Sequence, residues 1–383
     1  MIAESNSLAI IALLFSVVAI ACWIETRPRI GQFAVIGIIF SCMLLNGLHI
    51  LPHAAPIYKI ISQYFVPLAI PLMLFNADIK RIWQESGRVF IAFFCATFAT
   101  IMAAILAINL TAIHADESLW AGIVTAGFIG SSGNTVAVAA ALDKSADPFF
   151  GLLLASMYVV TVPFVALMLA LPSIPRLWLW FSPNKEKPSS DDQPSQNQTA
   201  QSSAVSMLQS SAAVTTSSLS ACLALSALIC WIGDYLAEIT SFAPMKFLAI
   251  SLISIMFASI LPKQAAKLHG HQQVGHILLY MIFAIIGVQV DFSQALASGG
   301  QIMVFAFILL SGHLIIVSLL GRLLKIAGPE LLIASNACLL GPPTAAAMAA
   351  SRGWNHLITP GILCGVLGYA VANFIGIAFG ELM

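Results

Sequence analysis

Two short stretches of this sequence carry residue types that can capture a small solute or ion, Gly130-Ser131-Ser132-Gly133-Asn134-Thr135 and Gly341-Pro342-Pro343-Thr344. Each interrupts an apolar run, "GFIGSSGNTVAVAAAL" (127–142) and "CLLGPPTAAAMAASRG" (338–353). Glycine and proline break helices, and a break frees backbone N–H and C=O groups. Where the helix resumes, free N–H groups near Thr135 and Ala345 and the positive ends of two helix dipoles suit an anion. Carbonyls ending the preceding helices suit a cation, which makes Na+ the expected coupling ion. Pro342 and Pro343 fit a first helical turn, where a missing N–H costs nothing. Side-chain bulk at Gly130 or Gly341 is expected to obstruct the site while leaving the amount of protein in the membrane unchanged.

Other polar residues inside apolar runs are weaker candidates. Asn336 lies five positions before Gly341 and Thr125 five before Gly130; Tyr369 and Asn373 follow in the last apolar run, Tyr158 in the matching one. Each can serve as a helix–helix hydrogen bond or as a ligand. Asp78 and Asp291 end their segments and read as solvated or paired carboxylates. His313 is the one ionisable group deep in a run; it is either functional or a neutral imidazole bonded to a backbone carbonyl. "HGHQQVGH" (269–276) has no cysteine or carboxylate company and reads as a solvated loop, so no metal is expected.

The elements that must hold these residues are membrane helices. Hydrophobic residues make up 60% of the chain and charged residues 8%, against about 25% charged in a soluble domain. Apolar runs recur, long enough to cross a hydrocarbon core of about 30 Å. They fall at about 6–24, 31–50, 57–76, 87–111, 118–142 and 148–171, then at 212–235, 244–262, 273–290, 300–321, 329–351 and 357–379. The first lacks a basic leader and a cleavage site and reads as a retained helix. All seven cysteines lie in apolar runs and read as small apolar residues. Zero net charge gives no reason to expect nucleic acid.

A segment rich in Ser, Gln and Pro at 183–210 divides the chain into a first membrane repeat (1–182) and a second (211–383), and its composition predicts a disordered linker. The halves resemble each other. "PLMLFNAD" aligns with "AIIGVQVD" when Asp78 is set on Asp291, and the interval from Gly130 to Tyr158 equals that from Gly341 to Tyr369. If all twelve runs cross the membrane, the Lys and Arg residues split evenly. If the two broken runs are re-entrant hairpins, only Lys59, Lys144 and Lys246 face away from the other thirteen of the 16 basic residues, the asymmetry expected of a cytoplasmic face. Each half is then five crossings plus one hairpin, and the odd number inverts the second half. This arrangement puts the linker in the cytoplasm and both termini outside it, with the two breaks meeting at the midplane. Broken helices that cross are the alternative.

"YFVPLAIPLMLFNADIKRI" (64–82) and "LLIASNACLLGPPTAAAMAASRGW…LITPGILCGVLGYAVANFIG" (331–376) resemble the YjcL-like family of bacterial membrane proteins, whose function is unsettled. The resemblance covers nearly the whole chain and implies a bacterial inner-membrane location. The expected fold is all-α and polytopic, with two inverted repeats. The expected function is secondary transport of a small anionic solute, with Na+ as the coupling ion, by a protein that is not an enzyme. Its partners are that solute and the lipid bilayer, with a homodimer possible. The alternatives are a Na+/H+-type antiporter, a receptor or scaffold, and, last, an intramembrane enzyme using Ser131 or Ser132 with His313.

Overall fold

The computed structural model describes residues 2–26, 34–111, 116–181, 214–289 and 292–382. The linker, Asp291, Arg27 and Arg29 lie outside these residues. Each half contributes seven principal helices in the same order. The first has α1 (Ser7–Glu25), α2 (Ala34–Gly47), α3 (Pro56–Leu74), α4 (Gly87–Leu110), α5 (Glu117–Ile129), α6 (Ser132–Ala141) and α7 (Pro148–Ala170). The second has α8 (Thr216–Thr240), α9 (Met245–Ile260), α10 (His271–Gln289), α11 (Phe292–Leu323), α12 (Gly328–Leu340), α13 (Pro342–Ser351) and α14 (Ile358–Leu382). Among the described residues eight helices are long and apolar enough to cross a membrane. The second helix of the second half, α9, is shorter than the sequence predicts; at 16 residues it is about 24 Å long.

The boundaries follow from local chemistry. Asp147 accepts the Phe149 N–H and Pro148 opens α7, a cap followed by a residue with no N–H to satisfy. Asp78 does the same for the short helix Ile79–Glu85, accepting from Lys80 and Arg81 at 3.0 and 3.3 Å. Its carboxylate is thus a helix cap at the end of α3, in keeping with the paired carboxylate expected there.

Apolar side chains face outward as well as inward. Phe94, Phe98 and Leu106 on α4 and Leu228 and Trp231 on α8 are exposed, the surface expected of helices in lipid. Of the eight long helices α14 is the most enclosed, with 72% of its most apolar stretch buried, against 22% for α1. Two of the longest contacts join counterparts in the two halves, α4 along α11 and α3 along α10; two others, α5 along α14 and α2 along α10, do not.

Both broken segments double back. Gly127 packs directly on Thr135, although eight positions of continuous helix would set them about 12 Å apart. Lys144, just beyond α6, forms a 2.5 Å ion pair with Asp116, just before α5. In the second half the Asn336 amide of α12 lies 3.7 Å from the Met348 sulfur of α13, and Ile333 and Ala345 meet the same residue, Gly361.

Contacts also sort the basic residues. Arg88 bonds Glu330 and the Lys325 carbonyl. Arg322 lies over the Trp180 ring, and Arg352 donates to Ser173 and the Leu169 carbonyl. These pairs draw the ends of α7, α11 and α13 and the start of α4 to one end of the bundle. Lys144 and Lys246 pair with Asp116 and Asp234 elsewhere.

Candidate functional site

The two breaks are held by glycine and by small polar side chains. Ser131 is extended and caps α6, its Oγ accepting the Gly133 N–H at 3.2 Å. Its carbonyl accepts the N–H groups of Asn134 and Thr135. At the second break Gly341 has φ +88° and ψ −176°, a region open in practice only to glycine. Its carbonyl accepts the Ala345 N–H and the Thr344 hydroxyl. The expected free N–H groups at Thr135 and Ala345 are therefore already bonded, because each resumed helix closes its own first turn.

Both breaks border one cavity of about 320 Å³, within the range of small-molecule sites. Ser131, Ser132, Gly133 and Thr135 reach it from the first segment and Thr344 from the second, joined by Leu339 and Leu340. Tyr158 and Tyr369, placed alike in the two halves, also line it. Tyr158 shares this lining with Ser132, and the Tyr369 hydroxyl lies against Gly341. From the breaks the cavity runs past Thr161, Val165 and Leu169 of α7 to Glu25 and Val35. Leu169 is held by Arg352, so the cavity extends toward the end of the bundle where the basic residues gather.

Other expected site residues stand behind this lining. The Asn134 amide donates to the Tyr369 carbonyl at 2.9 Å and to Asn373 Oδ1 at 2.8 Å, and Asn373 donates to Ser251 on α9 at 2.9 Å. Asn134 and Asn373 also wall a smaller cavity of about 20 Å³ with Ser131 and Tyr369, room for about one water-sized guest. Asn336 is buried against Met348, and its Oδ1 has no hydrogen-bond partner. Gly130 and Gly341 are packed rather than open to the cavity: a Cβ on Gly130 would lie 2.7 Å from Asn134 Cγ and 2.8 Å from Ala372 Cβ. Pro342 abuts the backbone of α14 at Gly365, and Pro343 follows it in the first turn of α13.

His313 bonds neither a backbone carbonyl nor the break serines. Its Nδ1 is 2.9 Å from Thr100 and its Nε2 2.6 Å from Ser335. Since Thr100 donates its own proton to the Ala96 carbonyl, Nδ1 carries the ring proton and Nε2 accepts from Ser335. A neutral, fully bonded imidazole results, tying α4 and α11 to α12. The histidine stretch is likewise not a solvated loop. His271 opens α10, buried and 2.6 Å from the Leu72 carbonyl, and His276 lines the main cavity.

Sequence reasoning missed Glu25, His276 and Tyr280. Glu25 ends an apolar run and precedes two arginines, which reads as an ordinary interface charge. Tyr280 accompanies His276 on α10, one turn on, with the rings stacked at 6.1 Å and 7°. The one available signal was their helical spacing, hidden once 269–276 was read as a loop.

A chain whose described residues are all-helical in their regular structure and hold eight spans of this length and polarity is a multi-pass membrane protein. It matches, over residues 12–383, the family model described as "Protein of unknown function (DUF819)", and it belongs to that family. It is also 28% identical over 375 residues to the uncharacterized membrane protein YjcL of Bacillus subtilis (strain 168), covering 95% of this chain and 93% of the relative.

Proposed function

We propose that this protein is a secondary transporter carrying a small polar solute across a bacterial inner membrane by alternating access. The observation that carries the reading is that the two broken segments, one from each half, border the same cavity. Non-helical backbone at membrane depth is tolerated where protein buries it or a watery cavity bathes it, and transporters place their sites at such breaks. In this reading the halves are inverted repeats, each with one re-entrant hairpin. The doubled-back arms support the hairpins, and the pairing of α3 with α10 and α4 with α11 supports a pseudo-two-fold axis between the halves. The basic end is cytoplasmic, and the cavity opens toward it. Sodium is retained as the coupling ion, with the smaller cavity walled by Asn134 and Asn373 as its place.

Proteoliposomes containing the purified protein should accumulate at least one solute from a chemically diverse panel, faster with an inward Na+ gradient than without. Flux indistinguishable from empty liposomes across the panel, in exchange as well as uptake, would remove the transport reading. Orientation has its own test. In a cysteine-free background, single cysteines at Gln198 and Arg352 are expected to resist impermeant thiol reagents in intact cells and react after lysis, whereas one at Glu117 reacts from outside. Labelling at Arg352 from outside would exclude the second hairpin.

A further inference from the structure

We propose that the main cavity selects a solute bearing a positively charged nitrogen, a primary or alkylated ammonium on a small frame, with Glu25 as its counter-charge. This rests on the transport reading and names the solute class; it replaces the anion expected from sequence. Glu25 is the one charged side chain among the described residues lining the cavity, and no lysine or arginine accompanies it. Among the described residues lining the cavity, an anion would meet this carboxylate with no Lys or Arg side chain beside it.

The resumed helices use up most of the N–H groups at the breaks. Those of Gly133, Asn134 and Thr135 are taken by Ser131, Pro342 and Pro343 have none, and Ala345 donates to Gly341. What remains around Glu25 suits a cation. His276, Tyr280 and Tyr369 line the same cavity, with the Tyr280 ring stacked on His276. The rings of Tyr158, Tyr280, Phe283 and Tyr369 offer the negative π faces that attract ammonium groups.

The test uses isosteres differing in charge: choline, neutral 3,3-dimethylbutan-1-ol and anionic 3,3-dimethylbutanoate, with methylammonium and tetramethylammonium as smaller cations. The readout is the thermal unfolding midpoint of the purified full chain against probe concentration. At least one cation is expected to raise the midpoint at a concentration about ten-fold lower than the neutral isostere, a margin discounted for a carboxylate partly open to water. The anion should produce no shift. Glu25→Gln should bring the best cation to the level of the neutral isostere, and Tyr280→Leu, which removes the ring, should weaken it a few-fold. The proposal is overturned if no cation shifts the midpoint, if the anion acts at the lowest concentration, or if Glu25→Gln leaves the cation preference intact. Should that variant not fold, the wild-type ranking and Tyr280→Leu decide. Cation binding without flux of any solute would remove the transport reading alone; flux of an anion without cation binding would remove this proposal alone.

Discussion

Gly341→Val is expected to lose about 3 kcal/mol or more of stability and, with it, most of the folded protein recovered from the membrane. Two costs add. At φ +88° and ψ −176° a residue with a Cβ is held in a conformation costing about 1–3 kcal/mol. The new atom would also stand 2.9 Å from the Tyr369 hydroxyl and 3.3 Å from its ring, and a β-branched side chain adds two carbons to that collision. Gly341→Ala separates the terms, since it keeps the backbone strain while adding the smallest side chain. It should unfold at a lower temperature than wild type in detergent, yet higher than the valine variant. Wild-type midpoints for both would mean that the break adopts a different backbone from the one described here. The outcome expected from sequence, a blocked site in a normally abundant protein, is replaced because the break rests on Tyr369.

Gly376→Val should be as damaging for a different reason. A Cβ on Gly376 would meet Ala126 Cβ at 2.6 Å and the Gly122 carbonyl at 2.9 Å; from the other side, one on Gly122 would meet the Gly376 carbonyl at 2.5 Å. The backbones of α5 and α14 therefore touch, as small residues allow within membranes. Valine must push two helices apart, and overpacking of this kind costs about 1–3 kcal/mol before any backbone hydrogen bonds are disturbed. Gly300→Ala on α11 is the matched control, because its Cβ would meet nothing within 4 Å and alanine is the better helix former. Fluorescence-detected size-exclusion of detergent extracts should show a monodisperse peak for wild type and Gly300→Ala, and a lost or aggregated one for Gly376→Val. A normal peak for Gly376→Val would show that α5 and α14 do not pack this closely.

Much of the architecture is legible in the sequence because lipid leaves few options. Apolar length marks the helices, and Gly, Ser and Pro inside such runs mark the breaks at 130–131 and 341. The parity of the basic residues anticipates which ends gather: Arg88, Lys325, Arg322 and Arg352 all make their contacts at one end of the bundle. The site was less legible, since its details depend on which donors find partners. Ser131 is a hydroxyl beside a break in the sequence; in space its Oγ and carbonyl take the N–H groups of Gly133, Asn134 and Thr135. Thr100 and Ser335 meet His313 from positions far away in the chain, and no spacing rule pairs them. Glu25 became a cavity residue only in space, where α10 sets His276 and Tyr280 in the same lining.

The glycine-lined face of α14 also bears on how the chain is made. Gly376 and Gly368 receive α5, while Gly365 and Gly361 receive the second broken segment, so both segments rest on a helix made after them. The first segment ends at Ala141, and its supporting surface at Gly376 is more than two hundred residues away. At about 5–20 residues per second the interval is on the order of 10–50 s. For that time the break at Gly130 and Ser131 sits in or beside the bilayer without its permanent neighbour. Completion of the first half thus waits for the synthesis of α14, not only for its own.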